Sequence, residues 1–106
     1  MKNEGKSVEK NRPLILVTND DGIEAKGIHS LIDMVRPYGD VVAVAPFHVH
    51  SGKSHAITVE IPIRYKLLRE WDNVKVYGCT GTPVDSVKLA FSAILPRRPD
   101  LIVSGI

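Results

Sequence analysis

The chain has 106 residues with 14 basic and 12 acidic side chains, a net charge of +2 at pH 7 with neutral histidines. This length fits one domain that buries roughly two thirds of its unfolded surface, and so small and dispersed a charge argues against a nucleic-acid partner. No apolar run approaches the roughly 20 residues that cross a bilayer, and the charged start excludes a secretory signal. A single cysteine, Cys79, excludes an internal disulfide. We therefore expect a cytoplasmic protein with no membrane partner.

The first part of the chain divides into a leader and a strand. Residues 1–13 carry several charges and no hydrophobic segment, which is typical of a disordered leader. Residues 14–18 are continuously apolar up to Thr18, the pattern of a strand buried on both faces of a parallel sheet. A helix is predicted to follow and to end at Pro37 and Gly39, because apolar residues recur at helical spacing: Ile28, Leu31, Ile32 and Val35.

The middle of the chain predicts a second strand and an edge segment. Residues 41–45 form another short apolar run, so a strand-helix-strand unit with parallel strands is expected. Residues 47–55 are rich in histidine, serine and glycine and predict a loop at the carboxyl end of this strand. Residues 56–68 alternate only in part and contain Pro62, which favours extended structure at a sheet edge. Residues 71–73 predict a turn.

The last third predicts one more strand-helix-strand unit. Residues 74–77 indicate a third parallel strand, followed by a loop over residues 78–82. A helix start is predicted at Thr82, Pro83 and Asp85. The threonine caps the helix, the proline takes its first position, and the acid can reach back to the cap. The helix is expected to reach Leu95, with an apolar face of Val84, Val87, Leu89, Ala90, Phe91 and Ile94. Residues 100–104 predict a further buried strand, and the whole pattern predicts a Rossmann-like, three-layer α/β/α domain with a mostly parallel sheet.

Asp20 and Asp21 stand at the end of the first strand and are the main candidates for chemistry. Adjacent carboxylates in a cleft need compensating positive charge, and a hard divalent cation such as Mg²⁺, Mn²⁺ or Ca²⁺ prefers oxygen ligands. A solvated Asp-Asp-Gly turn is the alternative, and this segment alone leaves both open. Three further polar loops are expected at the same sheet edge, because carboxyl ends of parallel strands meet there. These loops contain Ser51 beside Gly52, the residues before Thr82, and Ser104. A metal ion and the amides at a helix start are together suited to phosphate-ester hydrolysis.

Several motifs resemble the SurE survival-protein family over about residues 14–106. The motifs are Val17-Thr18-Asn19-Asp20-Asp21-Gly22, Ala45-Pro46 before Ser51-Gly52, Gly81-Thr82-Pro83-Val84-Asp85, and Pro99-Asp100-Leu101 running into Val103-Ser104-Gly105-Ile106. The resemblance implies a metal-dependent phosphatase acting on nucleoside 5′-monophosphates, often also on 3′-monophosphates and polyphosphate, with a Rossmann-like core and a homo-oligomeric state. It implies one divalent cation, Mg²⁺ or Mn²⁺.

The same resemblance assigns roles to individual residues. The implied metal ligands are Asp20, Asp21 and Ser51, with Asn19 joining the two aspartates as a catalytic residue. The residues expected to bind the nucleoside monophosphate are Gly52, Gly81, Thr82 and Ser104.

The sequence also departs from the family pattern. The family's fourth metal ligand, an asparagine directly after Ser-Gly-Ile, would follow Ile106, so we expect residues 14–106 to be the N-terminal part of the domain, truncated after its fourth core strand. Phe47 stands where the family commonly has aspartate, and Ser86 where it commonly has cysteine. A catalytically silent fragment that binds metal or nucleotide is therefore the second hypothesis.

Overall fold

A computed structural model of the chain describes residues 12–47 and 62–105. Within these ranges a five-stranded sheet carries helices on both faces. In chain order the elements are β1 (Leu14–Asn19), α1 (Lys26–Val35), a 3₁₀ turn (Arg36–Tyr38), β2 (Asp40–Pro46), β3 (Tyr65–Trp71), β4 (Val74–Cys79), α2 (Pro83–Leu89), a π-helical turn (Ala90–Ile94) and β5 (Leu101–Gly105).

The strand order in the sheet is β3-β4-β2-β1-β5. Strands β4, β2, β1 and β5 are parallel to one another, whereas β3 runs antiparallel to β4 at the edge of the sheet. The predicted Rossmann-like, mostly parallel α/β fold is therefore confirmed. β3 also confirms the prediction of an edge strand, although it begins and ends later than expected and takes in Trp71. Residues 56–61 of the predicted 56–68 segment lie outside the described residues, and residues 62–64 belong to no strand.

Two apolar layers hold the helices to the sheet. On one face Ile15 and Val17 of β1 pack with Ile28 and Ile32 of α1. On the other face Leu14 and Leu16 pack with Ala90, next to α2. The alternation of side chains along β1 thus serves both layers, which explains why residues 14–17 are apolar without a break. Among the described residues no helix is both long and apolar enough to cross a membrane.

The predicted loop after β4 begins later than expected. Gly78 and Cys79 belong to the strand, where they pair with Ala45 and Pro46 of β2. A Cβ atom at Gly78 would collide with the aromatic ring of Phe47. Glycine is required there by close packing and not by a turn, so the prediction of a loop at these two residues was wrong.

The predicted helix over residues 83–95 is also corrected. α2 proper ends at Leu89, and the next five residues form a π-helical turn. Val84 and Phe91, assigned to the apolar face, are 62% and 46% exposed. The residue buried in α2 is Ser86, whose hydroxyl donates to the Thr82 carbonyl at 3.2 Å and lies 3.0 Å from the Cys79 sulfur.

The last strand differs from its prediction in burial. β5 is an edge strand of the described sheet, and Leu101 and Ile102 are 50% and 49% exposed. The start of β5 is tied to β1 through Asp100, whose carboxylate accepts a hydrogen bond from the Leu14 N–H at 2.7 Å and one from Arg97 at 3.0 Å. These two bonds hold the pKa of Asp100 below its ordinary value, the Leu14 N–H bond being the larger cause.

Candidate active site at the carboxyl edge of the sheet

The strand order predicts a ligand crevice at the carboxyl end of β1. From β1 the chain moves to β2 and then β4 on one side, whereas β5 lies on the other side of β1. The order therefore reverses between β1 and β5, where Asn19 and Gly105 are the last paired residues. In open α/β sheets such a reversal point is the usual place for a ligand, beyond the carboxyl ends of the strands.

The chain turns sharply after β1, and Asn19 holds that turn. Its buried amide donates to the Gly22 carbonyl at 2.9 Å and accepts from the Gly22 N–H at 3.2 Å. Gly22 has φ 101, a backbone conformation that a residue with a side chain adopts only under strain. The Ile23 N–H donates to the Pro46 carbonyl at 2.8 Å, which ties the turn to the end of β2.

This turn presents Asp20 and Asp21 to solvent at the crevice. Both residues are exposed, while Asn19 and Gly22 on either side of them are buried. The two aspartates therefore sit on a rigid support with their oxygens available. Carboxylate oxygens are suitable ligands for a hard divalent cation, so the donor chemistry fits the implied metal.

The structure describes only part of the predicted metal shell. Ser51 and Gly52 lie outside the described residues. In residues 12–47 and 62–105 no group of three histidine, cysteine, aspartate or glutamate side chains is close enough to hold a metal. The two aspartates are thus the described part of the predicted site. The catalytic role of Asn19 stays a prediction, since both ends of its amide bond Gly22 in this structure.

The start of α2 forms the predicted capping box. The Thr82 hydroxyl accepts from the Asp85 N–H at 3.2 Å, and the Asp85 carboxylate accepts from the Thr82 N–H at 2.9 Å. Gly81 is buried against Asp85, where a Cβ atom would lie 2.5 Å from the Asp85 Cβ. Thr82 therefore uses its hydroxyl and N–H within the helix start. Substrate binding by Gly81 and Thr82 remains a prediction.

Two residues with hydroxyl side chains stand at paired positions of β1 and β5. Ser104 is exposed and is the register partner of Thr18. Thr18 is 6% exposed, and its buried Oγ1 has no hydrogen-bond partner among the described residues. Sequence reasoning missed this hydroxyl because a threonine in an apolar strand looks like an ordinary β-forming residue. The one signal in the sequence was the position of Thr18 directly before Asn19.

A second group beside the turn was also missed. Arg69 of β3 donates to the Glu24 carboxylate at 3.1 Å, and its Nη2 lies 3.4 Å from His29 Nε2 on α1. These contacts connect the edge strand with the segment that follows the aspartates. Because 45 residues separate Arg69 from Glu24, no local pattern predicts the contact.

Taken together, the parallel sheet, its reversal point and the acidic turn define an open α/β domain with exposed carboxylates at the point where ligands are expected to bind. The sequence profile described as survival protein SurE matches residues 15–106. The 5′-nucleotidase SurE of Phocaeicola vulgatus is 50% identical over 99 residues, which are 93% of this chain and 38% of that protein. The 5′-nucleotidase SurE of Bacteroides fragilis is 52% identical over 99 residues, 93% of this chain and 39% of that protein.

A solved structure agrees with these sequence matches. The crystal structure of the SurE protein from Aquifex aeolicus superposes with a TM-score of 0.68 at 38% sequence identity, over 89% of this chain and 37% of that one. The chain therefore belongs to the SurE family. It spans about two fifths of the length of the curated relatives it matches.

Proposed function

We propose that this chain carries part of the active site of a divalent-metal-dependent phosphatase, which hydrolyses nucleoside 5′-monophosphates to nucleoside and phosphate. The observation that carries the proposal is the exposed Asp20–Asp21 pair on a buttressed turn at the point where the strand order reverses. The relatives named 5′-nucleotidase SurE, about half identical in this region, support the reaction class. We expect the protein to act in the cytoplasm, where its lone cysteine stays reduced.

In this proposal Asp20, Asp21 and Ser51 hold one Mg²⁺ or Mn²⁺ ion. The bound cation supplies positive charge that offsets the charge of the phosphoryl oxygens. The turn fixed by Asn19 and Gly22 holds the backbone of the two aspartates before the ligand arrives, so less ordering is left to occur on binding. Ser104, at the end of β5, lies on the other wall of the crevice and is proposed to contact the phosphate.

The two aspartates provide the direct test. We expect the double variant Asp20→Asn, Asp21→Asn to lose Mn²⁺ binding in calorimetry and to reduce phosphate release from AMP by more than about 100-fold, since neutral amides do not offset the ion's charge. Asp33→Asn is the matched control, because Asp33 is an exposed acid on α1 that faces Arg36 at 3.7 Å. Its metal binding and phosphate release should match those of the unaltered chain.

The same experiment separates the two hypotheses left by the sequence. Phosphate release that survives in the double aspartate variant would refute the role of this pair. Mn²⁺ binding by the unaltered chain without phosphate release from AMP or GMP would favour the alternative, a metal- or nucleotide-binding module without catalysis.

A further inference from the structure

A cavity of about 390 Å³ lies at the amino edge of the sheet, opposite the acidic turn. It is lined by the first residues of β1 and β2, the turn between β3 and β4, and the end of the π-helical turn. Asp20 and Asp21 follow the other end of β1, whose six residues span about 16 Å. The cavity is therefore separate from the candidate active site, and its volume is within the usual range for small-molecule sites.

The floor of the cavity is apolar. Leu14 and Val42 are buried in the apolar layer between the sheet and α2, and Tyr77 and Ile94 pack against that layer. Tyr77 and Ile94 stay partly exposed. A hydrocarbon or aromatic body placed on them would remove apolar surface from water, which favours binding. An apolar body is therefore one part of the ligand that this cavity fits.

The rim of the cavity offers hydrogen-bond acceptors. Asp72 is exposed, and within residues 12–47 and 62–105 its carboxylate has neither an ion-pair nor a hydrogen-bond partner. The side-chain amide of Asn73 donates to the carbonyls of Arg36 and Gly39, which leaves the amide oxygen for a ligand. Both open polar groups at this turn are acceptors, so they match a ligand that donates.

The charges around the cavity also favour a cation. Asp40 and Lys75 line it as well, but each faces an opposite charge: the Asp40 carboxylate is 2.9 Å from Arg12 Nε, and Lys75 Nζ is 4.0 Å from the Glu70 carboxylate. Asp72 is the lining charge that has no such partner in the described part of the chain. The uncompensated charge at the cavity is therefore negative.

We propose that this cavity binds a small organic cation, a primary amine carried on an aromatic or branched hydrocarbon body. The ammonium group donates to the Asp72 carboxylate and the Asn73 amide oxygen, and the body lies on Tyr77 and Ile94. An ammonium group has three donors and no acceptor, which suits a rim of open acceptors. This second site goes beyond the proposed phosphatase function and does not depend on it.

A series of probes tests the class of ligand on the unaltered chain. We expect phenethylamine at low salt to shift the backbone amide NMR signals of Asp72, Asn73 and Lys75. Phenethyl alcohol has the same body without the charge and should bind about 2- to 5-fold more weakly, as expected for one exposed ion pair. Hydrocinnamate, an anion, should bind more weakly still. Methylamine lacks the body and should bind at least about tenfold more weakly than phenethylamine.

Asp72→Asn tests the residue that carries the proposal. Asp72 has φ 46, a conformation that asparagine also adopts readily, so the turn should be kept while the charge is removed. The variant should bind phenethylamine and phenethyl alcohol with equal affinity and should keep the Mn²⁺ binding of the unaltered chain. Asp33→Asn is the matched control, because Asp33 is an exposed acid on α1, and this variant should keep the preference for the amine.

Three results would overturn the inference. They are the absence of phenethylamine binding, equal affinities of the unaltered chain for the amine and the alcohol, and a preference for the amine that persists in Asp72→Asn. If Asp72→Asn fails to fold, as judged by its urea transition, the probe series on the unaltered chain still decides between a cation site and a merely apolar one. None of these results bears on the aspartate pair at the other end of β1.

Discussion

Individual residues at the two ends of the sheet have different roles. At the carboxyl end, Asn19 and Gly22 use their hydrogen bonds to form a turn, which leaves the neighbouring aspartates exposed. At the opposite end, the Asp100 carboxylate bonds the Leu14 N–H and Arg97. The first arrangement keeps charge available to a ligand, and the second uses charge to join β1 to the start of β5.

The ionised form of Asp100 should contribute to stability in a pH-dependent way. Its pKa is lowered from 3.8 by the Leu14 N–H and by Arg97, so the folded state favours the charged carboxylate. That contribution is complete above the unfolded pKa and is lost as pH falls through the lower folded pKa. We expect Asp100→Asn to lower the urea midpoint near neutral pH, and the difference from the unaltered chain to shrink from about pH 5 to pH 2.

Asp33→Asn is the control for this pH series, since it removes an exposed carboxylate on α1. A difference between Asp100→Asn and the unaltered chain that stays constant down to about pH 2 would contradict the argument. The midpoint would then depend on the shape of the side chain and not on its ionisation.

At the scale of elements, the parallel strands were the most predictable part of the fold. Residues 14–18 and 41–45 are apolar because both faces of a central parallel strand are covered, and this leaves a clear local pattern. The end of β4 was not predictable, because Gly78 suits a turn as well as close contact with the Phe47 ring. The π-helical turn was equally hidden: its wider turn shifts later residues around the axis, and Phe91 is left half-exposed.

The candidate site also has features that the sequence predicts and features that it does not. Asp20, Asp21 and the capping box were predictable because each depends on neighbouring residues in the chain. The buried hydroxyl of Thr18 and the contact of Arg69 with Glu24 were not, because they depend on what other strands and helices place nearby. Sequence reasoning therefore reaches features formed by neighbouring residues and misses contacts between residues that are distant in the chain.

The capping box makes the stability of α2 depend on the side chain of Asp85. Asp85 accepts from the Thr82 N–H, and its own N–H donates to the Thr82 hydroxyl, so two otherwise unbonded N–H groups at the helix start are satisfied. We expect Asp85→Ala to lower the free energy of unfolding by about 1 kcal/mol in urea titrations. Lys88→Ala, an exposed change on the same helix, should stay within about 0.5 kcal/mol. Equal effects of the two substitutions would show that the cap is not a source of stability.

In the described part of the fold, the β5 side of the sheet is less well covered than the rest. β5 is the edge of the described sheet, and half-exposed Leu101 and Ile102 are adjacent residues that lie on its opposite faces. An edge strand also presents N–H and C=O groups that a second chain is able to pair with. This edge is the surface through which we expect the given chain to self-associate.

We expect the chain to self-associate at high concentration in size-exclusion chromatography with light scattering. Ile102→Lys should reduce that association, because a charged side chain on an edge strand opposes pairing with another strand. Tyr38→Lys alters an exposed aromatic residue outside β5 and should leave the association unchanged. A single monomeric species of the unaltered chain across the concentration range would refute the prediction.

The pairing of β1 with β5 also sets an order of events during folding. Leu14 and Asp100 are 86 residues apart, so the β1–β5 pairing must wait for a distant segment, whereas β3 and β4 are joined by the two residues Asp72 and Asn73. Closing so long a loop is slow compared with forming a hairpin. The end of β5, with Ser104 and Gly105, should therefore be the last part of the described sheet to assemble, and on a ribosome the acidic turn would emerge long before the strand that pairs beside it.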